Sequence, residues 1–518
     1  MLNTTLFKYV SWQLGPTAYE NIITLDVSQN NQISTIESLV GTTLKNLKTL
    51  NISNSSVSSL NVIPLQLKTL NAENVNINSI IFPENCLVET INLKNATIST
   101  DVSFNRLPNL KRLDLTGCTI NGSITLADLP SLEEFVIEDA KFNGNIVISN
   151  NVKIKEFDFS NKNLTSIVFN GNDIDIKTLN FHNTTFSQDT INLNAISNHL
   201  EEIYFNGCRG LSYIQLTSDV KLNALTTFSL YDSSITALGT DYTKFDASHF
   251  NNISELRKVS FNESTGKISY YSGFTFEYTN ISNIINLNWN GSGNRLFYMC
   301  MSLQSIGGSL TITDNFDYAF WRCVALTALP TINVDDSVTS ARYTFAGANL
   351  LTYAAVENVI SKCRMVEDFT GVLFCKDLPD GTTVRLDTLF GNNNVVRDIT
   401  FMLCPDRWSQ SIDSVTNNIV ISGYIPSSVE VANRAFMYLT ESVPYDILKN
   451  ATNIQYLEGT FAGSRITFYI QSGSTATLPT IEQEGETITL TDTITNTFIP
   501  ASVKSLNFTF EGSNVQPL

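Results

Sequence analysis

Residues 47–57, which read LKTLNISNSSV, decide the fold of the chain. Apolar residues stand at the first, fourth, sixth and last positions of this segment, and a small residue stands at the ninth. Apolar and polar residues alternate around the fourth position, which is typical of a short strand with one buried face. A strand this short cannot bury that face by itself, so we expect many such segments to stack around a common core.

The same motif returns along the first half of the chain at a nearly constant interval. Its copies begin at Ile22, Leu47, Leu67, Val88, Leu110, Leu132, Ile154, Ile176, Leu200, Leu225 and Leu256. The steps between these positions are 25, 20, 21, 22, 22, 22, 22, 24, 25 and 31 residues. A period near this length predicts a solenoid, in which each coil of the chain packs against the next one.

The second half of the chain carries a different motif, in which an aromatic residue is followed by a small or cysteine-containing turn and then by Leu. Residues 320–330, which read FWRCVALTALP, are the clearest copy. The copies begin at Phe297, Phe320, Phe345, Phe369, Phe390, Phe436, Phe461 and Phe510. Two of the steps between copies are about twice as long as the others, which indicates a degenerate copy inside each of them.

Both motifs resemble leucine-rich repeats. Residues 21–264 resemble the general leucine-rich-repeat family, and residues 295–470 resemble its BspA-like branch, whose copies read approximately A-F-x-x-C-x-x-L-x-x-I. The resemblance implies a mainly β repeat solenoid, a stack of parallel short strands with irregular or short helical returns. The family often has Asn or Cys eight residues after the first apolar position. Here only Asn30, Cys118 and Cys208 fit, which leaves the geometry of the returns open.

The two motifs divide the chain into five segments. Residues 1–20 are expected to form an N-terminal cap or attachment segment, and residues 21–264 the leucine-rich-repeat solenoid. Residues 265–294 break the period and are rich in Ser, Gly, Asn and Tyr, which predicts a junction. Residues 295–470 carry the BspA-like repeats. The tail, residues 471–518, is expected to be a β cap that covers the open sheet edge.

Composition and charge exclude several classes of partner. With 42% hydrophobic and 16% charged residues, the chain can form a large buried core. Its net charge of −17 offers no basic stripe to phosphate groups, so we expect no nucleic-acid partner. We find no apolar run long enough to span a membrane, and residues 1–15 do not read as a signal peptide. Eight cysteines are too few for a disulfide framework in a chain of 518 residues.

Side chains that point outward from the strands should form columns on one face of the solenoid, because neighbouring coils lie about 4.8 Å apart. Four carboxylates from adjacent coils cluster on this face, and they are Glu134, Glu138, Glu156 and Asp158. The repeat is expected to place Glu134 beside Glu156. Stacked carboxylates repel one another, so a calcium site, an acid–base pair and a hydrated patch without a function are all open interpretations.

Tyr204 and Tyr231, with His182 near them by register, form a second group of candidate contact residues. Exposed aromatic side chains can stack on sugars or hold a protein partner, although Tyr is also common in ordinary sheet packing. His182, His199 and His249 are too scattered for a catalytic triad or a metal centre, and no HExxH, Walker, GxGxxG or GxSxG motif occurs. We therefore predict no catalytic residue, no metal site and no cofactor.

These features favour a non-enzymatic recognition or adhesion protein that binds a protein or glycan partner through its repeat face. The BspA-like resemblance implies a bacterial surface. The lack of a recognisable export signal favours instead a larger assembly, such as a phage tail or another virion appendage. Two alternatives stay open, which are a structural scaffold without a ligand and a glycan-cleaving solenoid that uses Glu134, Glu156 and Asp158.

Overall fold

The structure is a computed structural model, and it describes residues 18–37, 40, 43–262, 267–271, 273–374, 377–403, 419–439, 443–444, 446–468, 481–483, 486–488, 499–509 and 514–517. Most of the predicted N-terminal segment 1–20, and much of the predicted cap 471–518, lie outside the described residues. The chain divides into two compact units. Unit 1 comprises residues 1–251 and 256–274, and unit 2 comprises residues 252–255 and 275–518.

Unit 1 is built from short strands that are joined by turns. Its described part also has three short 3-10 helices, at Ala18–Asn21, Asn194–Ile196 and Ala247–His249. The strands are β1 (Thr24–Asp26), β2 (Thr49–Asn51), β3 (Ser59–Leu60), β4 (Thr69–Asn71), β5 (Asn76–Ile77), β6 (Ser79–Ile80), β7 (Thr90–Asn92), β8 (Thr97–Ile98), β9 (Val102–Asn105), β10 (Arg112–Asp114), β11 (Thr119–Ile120), β12 (Ile124–Ala127), β13 (Glu134–Val136), β14 (Lys141–Ser149), β15 (Glu156–Asp158), β16 (Asn163–Asn170), β17 (Thr178–Asn180), β18 (Thr185–Phe186), β19 (Thr190–Asn192), β20 (Glu202–Tyr204), β21 (Tyr213–Gln215), β22 (Thr227–Ser229), β23 (Ala237–Gly239), β24 (Phe245–Asp246), β25 (Lys258–Asn262) and β26 (Lys267–Tyr271).

The strands of the first ten copies of the repeat motif form what we call the front sheet. Strands β1, β2, β4, β7, β10 and β13 form one parallel ladder, and β15, β17, β20 and β22 form another. Equivalent residues of successive copies are paired, for example Leu50 with Leu70 and Asn51 with Asn71. The register that the repeat predicts is therefore confirmed within each of these ladders.

The other side of each coil carries what we call the back sheet. Strands β5, β8, β9, β11, β12, β14, β16 and β18 form one parallel sheet there, and β19, β21, β23 and β24 pair with one another further along. The space between front and back is filled by buried apolar side chains. The rings of Phe157, Phe159, Phe181 and Phe205 stack through successive coils, with centroids 5.5 to 6.0 Å apart.

A residue with left-handed backbone ends each front-sheet turn. It lies three positions after the last residue of the strand, as in Asn54, Asn74, Asn95 and Asn161, whose φ angles are 54, 55, 54 and 57°. Asn, Asp and Gly adopt this conformation at the lowest cost. These left-handed residues therefore define the geometry of the front-sheet turns. The sequence left this geometry open, because most copies lack the Asn or Cys that the family often has.

Unit 1 ends in an antiparallel hairpin rather than in another regular coil. Strands β25 and β26 pair antiparallel, with Ser260 opposite Ser269. The copy of the motif that begins at Leu256 keeps one parallel bridge to the preceding coil, from Arg257 to Thr227. The chain then turns into the hairpin, which follows the last copy of the first motif.

Unit 2 has less regular strands but keeps the stacked coils. Parallel bridges connect Ser340, Asp368, Asp398, Val431, Tyr456 and Ser505 in this order. The rings of Phe276, Phe297, Phe320 and Phe345 stack with centroids 5.3 to 5.5 Å apart. The aromatic residue that begins a copy of the second motif is therefore a core residue in every copy whose first residue the structure describes. The described strands are β27 (Asn283–Ser292), β28 (Ser305–Thr313), β29 (Thr331–Val334), β30 (Thr383–Arg385), β31 (Val420–Ser422), β32 (Val443–Pro444), β33 (Arg465–Phe468), β34 (Ile481–Gln483), β35 (Glu486–Ile488) and β36 (Asn514–Pro517).

Helices are short wherever the structure describes the chain. In unit 2 a 3-10 helix spans Ile253–Glu255, and the α-helices are α1 (Tyr353–Ile360) and α2 (Leu386–Leu389). Helix α1 begins after Thr352, whose hydroxyl oxygen accepts the Ala355 N–H at 3.3 Å. Among the described residues no helix is long and apolar enough to cross a membrane. The prediction of a mainly β repeat solenoid with short helical returns is confirmed.

Candidate recognition cleft

A column of Asn and Asp side chains at the end of most front strands stabilises the turns of unit 1. The Oδ1 atom of Asn51 accepts the Ser53 N–H at 3.1 Å, and Asn92 does the same for Lys94 at 3.0 Å. Asn92 also donates to Asn71 of the preceding coil at 2.9 Å. Such side chains satisfy amides that a tight turn leaves without a backbone partner. The same turn bond occurs at Asp26, Asp114, Asp158 and Asn180.

Val136 interrupts this column, because its side chain has no oxygen that could accept the Glu138 N–H. The front sheet is interrupted at the same place. Strand β13 pairs with β10 and not with β15, and β15 pairs with β17 alone. The Val136 carbonyl oxygen accepts the Leu115 N–H of the β10 coil at 2.8 Å. Backbone groups alternate in direction along a strand, so those of Phe135 point toward β15, where they find no ladder partner.

Like charges oppose the closure of the sheet at this point. In continuous register Glu134 would lie directly beside Glu156, and like charges on neighbouring strands destabilise their pairing. Instead Glu134 forms an ion pair with Arg112 of β10, and Glu156 lies beside Thr178 of β17. Glu134 and Glu156 therefore do not form the in-register strand pair that the repeat predicts. Charge repulsion between Glu134 and Glu156 favours the opening.

The interruption opens a cleft of about 780 Å³, which we call the front cleft. Phe135 and Val136 form part of its floor, and Phe135 is partly exposed, whereas the equivalent Leu113 of the preceding coil is fully buried. Its lining includes the carboxylates of Glu138, Asp139, Glu156, Asp158 and Glu202, and a single cationic side chain, that of Lys162. The front cleft therefore combines an apolar floor with a strongly negative rim.

Four of the seven predicted contact residues line the front cleft, and they are Glu138, Glu156, Asp158 and Tyr204. The sequence did not single out Glu202, Thr178 and Asn180, which complete the wall. The repeat pattern places Glu202 on the outward face. It does not predict the break between β13 and β15, which makes Glu202 part of the cleft wall.

Burial corrects the prediction for the aromatic residues. Tyr204 is only 4% exposed, because it lies along its own strand and its hydroxyl donates to Glu202 Oε2 at 2.6 Å. His182 is only 8% exposed, and its backbone N–H donates to Asn180 Oδ1 at 3.0 Å. The expectation that these two side chains project from the repeat face is wrong. Tyr231 is 40% exposed but does not line the front cleft.

Two chemical interpretations of the acidic cluster depend on how its carboxylates are placed. Within the described ranges, no group of three or more His, Cys, Asp or Glu side chains is arranged to hold a metal ion, which leaves the calcium interpretation without support. Glu134, one carboxylate of the acid–base interpretation, forms an ion pair with Arg112 of the neighbouring strand. The remaining property of the cleft is its capacity to attract a cationic group and to place it against an apolar floor.

The described cysteines are packing residues. Cys118, Cys208 and Cys300 are buried, and burial raises the pKa of each of these thiols to about 12. Such thiols stay protonated at neutral pH and are poor nucleophiles. The interpretation of these residues as small buried hydrophobic groups of the repeat is confirmed.

A family model described as "BspA type Leucine rich repeat region" matches the chain in six copies, over residues 131–238, 174–292 and 228–352. Residues 131–352 of the chain are leucine-rich repeats. The matched region contains all the residues that line the front cleft. It begins well before residues 295–470, where the second motif was recognised, so coils of the first motif share the BspA-type pattern.

Solved structures with similar chains are also leucine-rich-repeat proteins. YopM from Yersinia enterocolitica WA-314 is 12% identical, with 98% of this chain and 94% of that chain covered and a TM-score of 0.24. The Arabidopsis receptor kinase HAESA, in complex with the peptide hormone IDA and the co-receptor SERK1, is 13% identical, with 86% and 67% covered and a TM-score of 0.25. A comparison with curated protein sequences finds no significant match. The family assignment therefore rests on the repeats themselves.

Proposed function

We propose that this protein is a non-enzymatic recognition protein that binds a protein partner through the front cleft. The observation that carries the proposal is the interruption of the front sheet between β13 and β15. It exposes an apolar floor and backbone hydrogen-bonding groups on an otherwise regular surface. A stack of coils is rigid, so a partner that docks there loses little free energy in ordering the site.

The chemistry of the cleft favours a basic, extended segment as the part of the partner that binds. Five carboxylates against one ammonium group attract Lys or Arg side chains. The backbone groups of Phe135 can pair with an extended chain, as happens when a peptide binds to an exposed sheet edge. Tyr231, two front strands beyond β17, is proposed as an outer contact because it remains exposed.

The proposed setting is a bacterial surface or a virion appendage, where a recognition protein of this kind would act in adhesion. The support for a surface is the BspA-type pattern of the repeats, since the BspA-like resemblance implies such a role. A scaffold without a ligand is the competing function. It requires attachment to a neighbour at a place other than the front cleft.

Charge-neutralising variants test this proposal. The full chain and the variant Glu138→Gln/Glu156→Gln/Asp158→Asn are used to capture partners from bacterial lysates and from whole virions. Asn at position 158 retains the oxygen that accepts the Ser160 N–H, so the fold should be preserved. The control variant is Glu73→Gln/Glu84→Gln/Asp101→Asn, which removes the same charge from positions that do not line the cleft.

A captured protein is then purified and titrated against the three chains. We expect binding to the unmodified chain and to the control variant, and an increase in the dissociation constant of about tenfold or more for the cleft variant. Tyr231→Ala is expected to have a smaller effect. Equal binding to all chains would place the contact elsewhere and favour the scaffold function. Capture of no partner at all would contradict the proposal.

A further inference from the structure

A second opening lies in the back sheet of unit 1. Strand β16 pairs with β14 along residues 166–170, but on its other side it does not pair with β19. The two coils are joined at both ends of this opening. The Gln188 N–H donates to the Thr165 carbonyl at 3.0 Å, and the Ile174 N–H donates to the Ala195 carbonyl at 2.6 Å. Between these two bonds lies a groove of about 680 Å³, which we call the amide groove.

The chemistry of the amide groove differs from that of the front cleft. Seven of its lining side chains are carboxamides, among them Asn170, Gln188, Asn192 and Gln215. Its one ionised side chain is Asp173, which already accepts Asn198 at 2.8 Å and lies 3.1 Å from the Nε2 atom of His199. The groove is therefore polar but offers no free charge to a ligand.

One donor in the amide groove has no partner. The Nε2 atom of Gln188 is buried and makes no hydrogen bond to any residue that the structure describes. A buried donor without an acceptor costs about 1 to 3 kcal/mol, and a group that binds beside it can supply the missing acceptor. Close by, Asn192 donates to Gln215 at 3.4 Å, which is a long bond that a ligand could replace at little cost.

We propose that the amide groove binds a neutral saccharide. A carboxamide both donates and accepts hydrogen bonds, as does each hydroxyl group of a sugar, so a row of carboxamides matches a row of hydroxyls. Val168, which is 42% exposed, and Phe169 supply an apolar surface for the C–H face of a sugar ring. Acidic sugars are disfavoured, because the groove has no cationic side chain among its lining residues and the chain carries a net charge of −17.

The experiment uses the full chain on an array of neutral and acidic oligosaccharides, followed by calorimetric titration of the neutral oligosaccharide that binds most strongly. Two groove variants, Gln188→Met and Asn170→Ala/Asn192→Ala, are titrated in parallel. The matched control is Asn121→Ala/Asn143→Ala. These two residues form an exposed carboxamide pair at 2.8 Å in the coils of β11 and β14, outside the groove.

We expect at least one neutral oligosaccharide to bind, with an affinity about tenfold lower for each groove variant and unchanged for the control. Thermal unfolding separates ligand binding from a structural role of Gln188. Loss of an unsatisfied donor should leave the melting temperature of Gln188→Met unchanged or higher. The proposal is overturned if no neutral oligosaccharide binds, if only acidic ones bind, if the groove variants bind as the unmodified chain does, or if Gln188→Met lowers the melting temperature.

Discussion

Single Asn and Asp side chains hold successive turns of unit 1 in the same shape. Each accepts the amide two residues further on, and several also bond to the equivalent side chain of the neighbouring coil, as Asn92 does with Asn71. The column that the repeat pattern places on the outward face is therefore structural. Val136, which has no such oxygen, lies at the interruption of the front sheet.

Replacement of Asn92 by Ala should lower the free energy of unfolding by about 1 to 2 kcal/mol, because it removes the acceptor for Lys94 and the donor to Asn71. Urea-induced unfolding, followed by circular dichroism, measures this change. The control is Asn76→Ala, at an exposed carboxamide of β5 that makes no side-chain hydrogen bond to the described residues. An equal effect of the two substitutions would contradict the role of the column.

The pH dependence of stability should include a contribution from Asp114. Burial alone would raise the pKa of this carboxyl group, but hydrogen bonds from Thr116 and the ion pair with Arg112 outweigh burial and lower the pKa below its ordinary value of 3.8. A lowered folded-state pKa stabilises the fold above the unfolded value, and this stabilisation is lost as the pH falls through the folded value.

Replacement of Asp114 by Asn should therefore destabilise the chain at neutral pH, and the difference from the unmodified chain should shrink below about pH 4. Urea unfolding at a series of pH values from about 7 down to about 2.5 measures the difference. A difference that stays constant, or that grows as the pH falls, would show that the ionised carboxylate contributes nothing.

At the scale of elements, β13 and β15 differ from the other inner strands of the front sheet. Each of these two strands pairs along one edge only, whereas the other inner strands pair along both edges. The amide hydrogens of Phe135, in β13, and of Ile137, just after it, point toward β15. We predict that they exchange faster with solvent than the Leu115 amide hydrogen, which is bonded to the Val136 carbonyl at 2.8 Å. Hydrogen–deuterium exchange of the free chain, read by mass spectrometry, compares the peptides that carry these strands.

The variant Val136→Asn supplies the missing acceptor for Glu138 and should slow exchange in the turn after β13. Its matched comparison is Val136→Thr, which keeps the branched shape and has a hydroxyl that replaces the amide acceptor only weakly. Uniform exchange rates along β10, β13 and β15 in the free chain would mean that the sheet is continuous in solution.

The elements also show how far the sequence could be interpreted. The period and the alternation of apolar residues predict the strands, their register and the outward column, since each follows from one coil repeated. The front cleft depends on two coils at once, through Val136 on one and the carboxylates of both. The burial of Tyr204 depends on a bond to Glu202. Contacts between particular side chains, such as these, cannot be predicted from a repeat period of about 22 residues.

At the scale of the molecule, unit 1 has two openings on its surface that differ in charge. The front cleft is acidic and the amide groove is uncharged apart from the paired Asp173. Binding at the two places should therefore respond differently to salt. Raising the ionic strength from roughly 0.05 M to roughly 0.5 M should weaken the protein partner of the front cleft by about tenfold or more, because salt screens exposed charges.

The affinity of a neutral oligosaccharide for the amide groove should change little over the same range. Titrations of both ligands with the same preparation of the full chain, at several salt concentrations, measure the two responses together. If the two affinities fall in parallel, the difference in surface charge between the two openings does not govern binding.

The most direct test of the front cleft as the recognition site is hydrogen–deuterium exchange of the full chain with and without its captured protein partner. We predict that the partner slows exchange in peptides that contain β13, β15 and their following turns, residues 134–139 and 156–161, and leaves the peptides of β2, β4 and β7 unchanged. Slower exchange confined to unit 2 or to the back sheet of unit 1, with none at these two segments, would contradict the account.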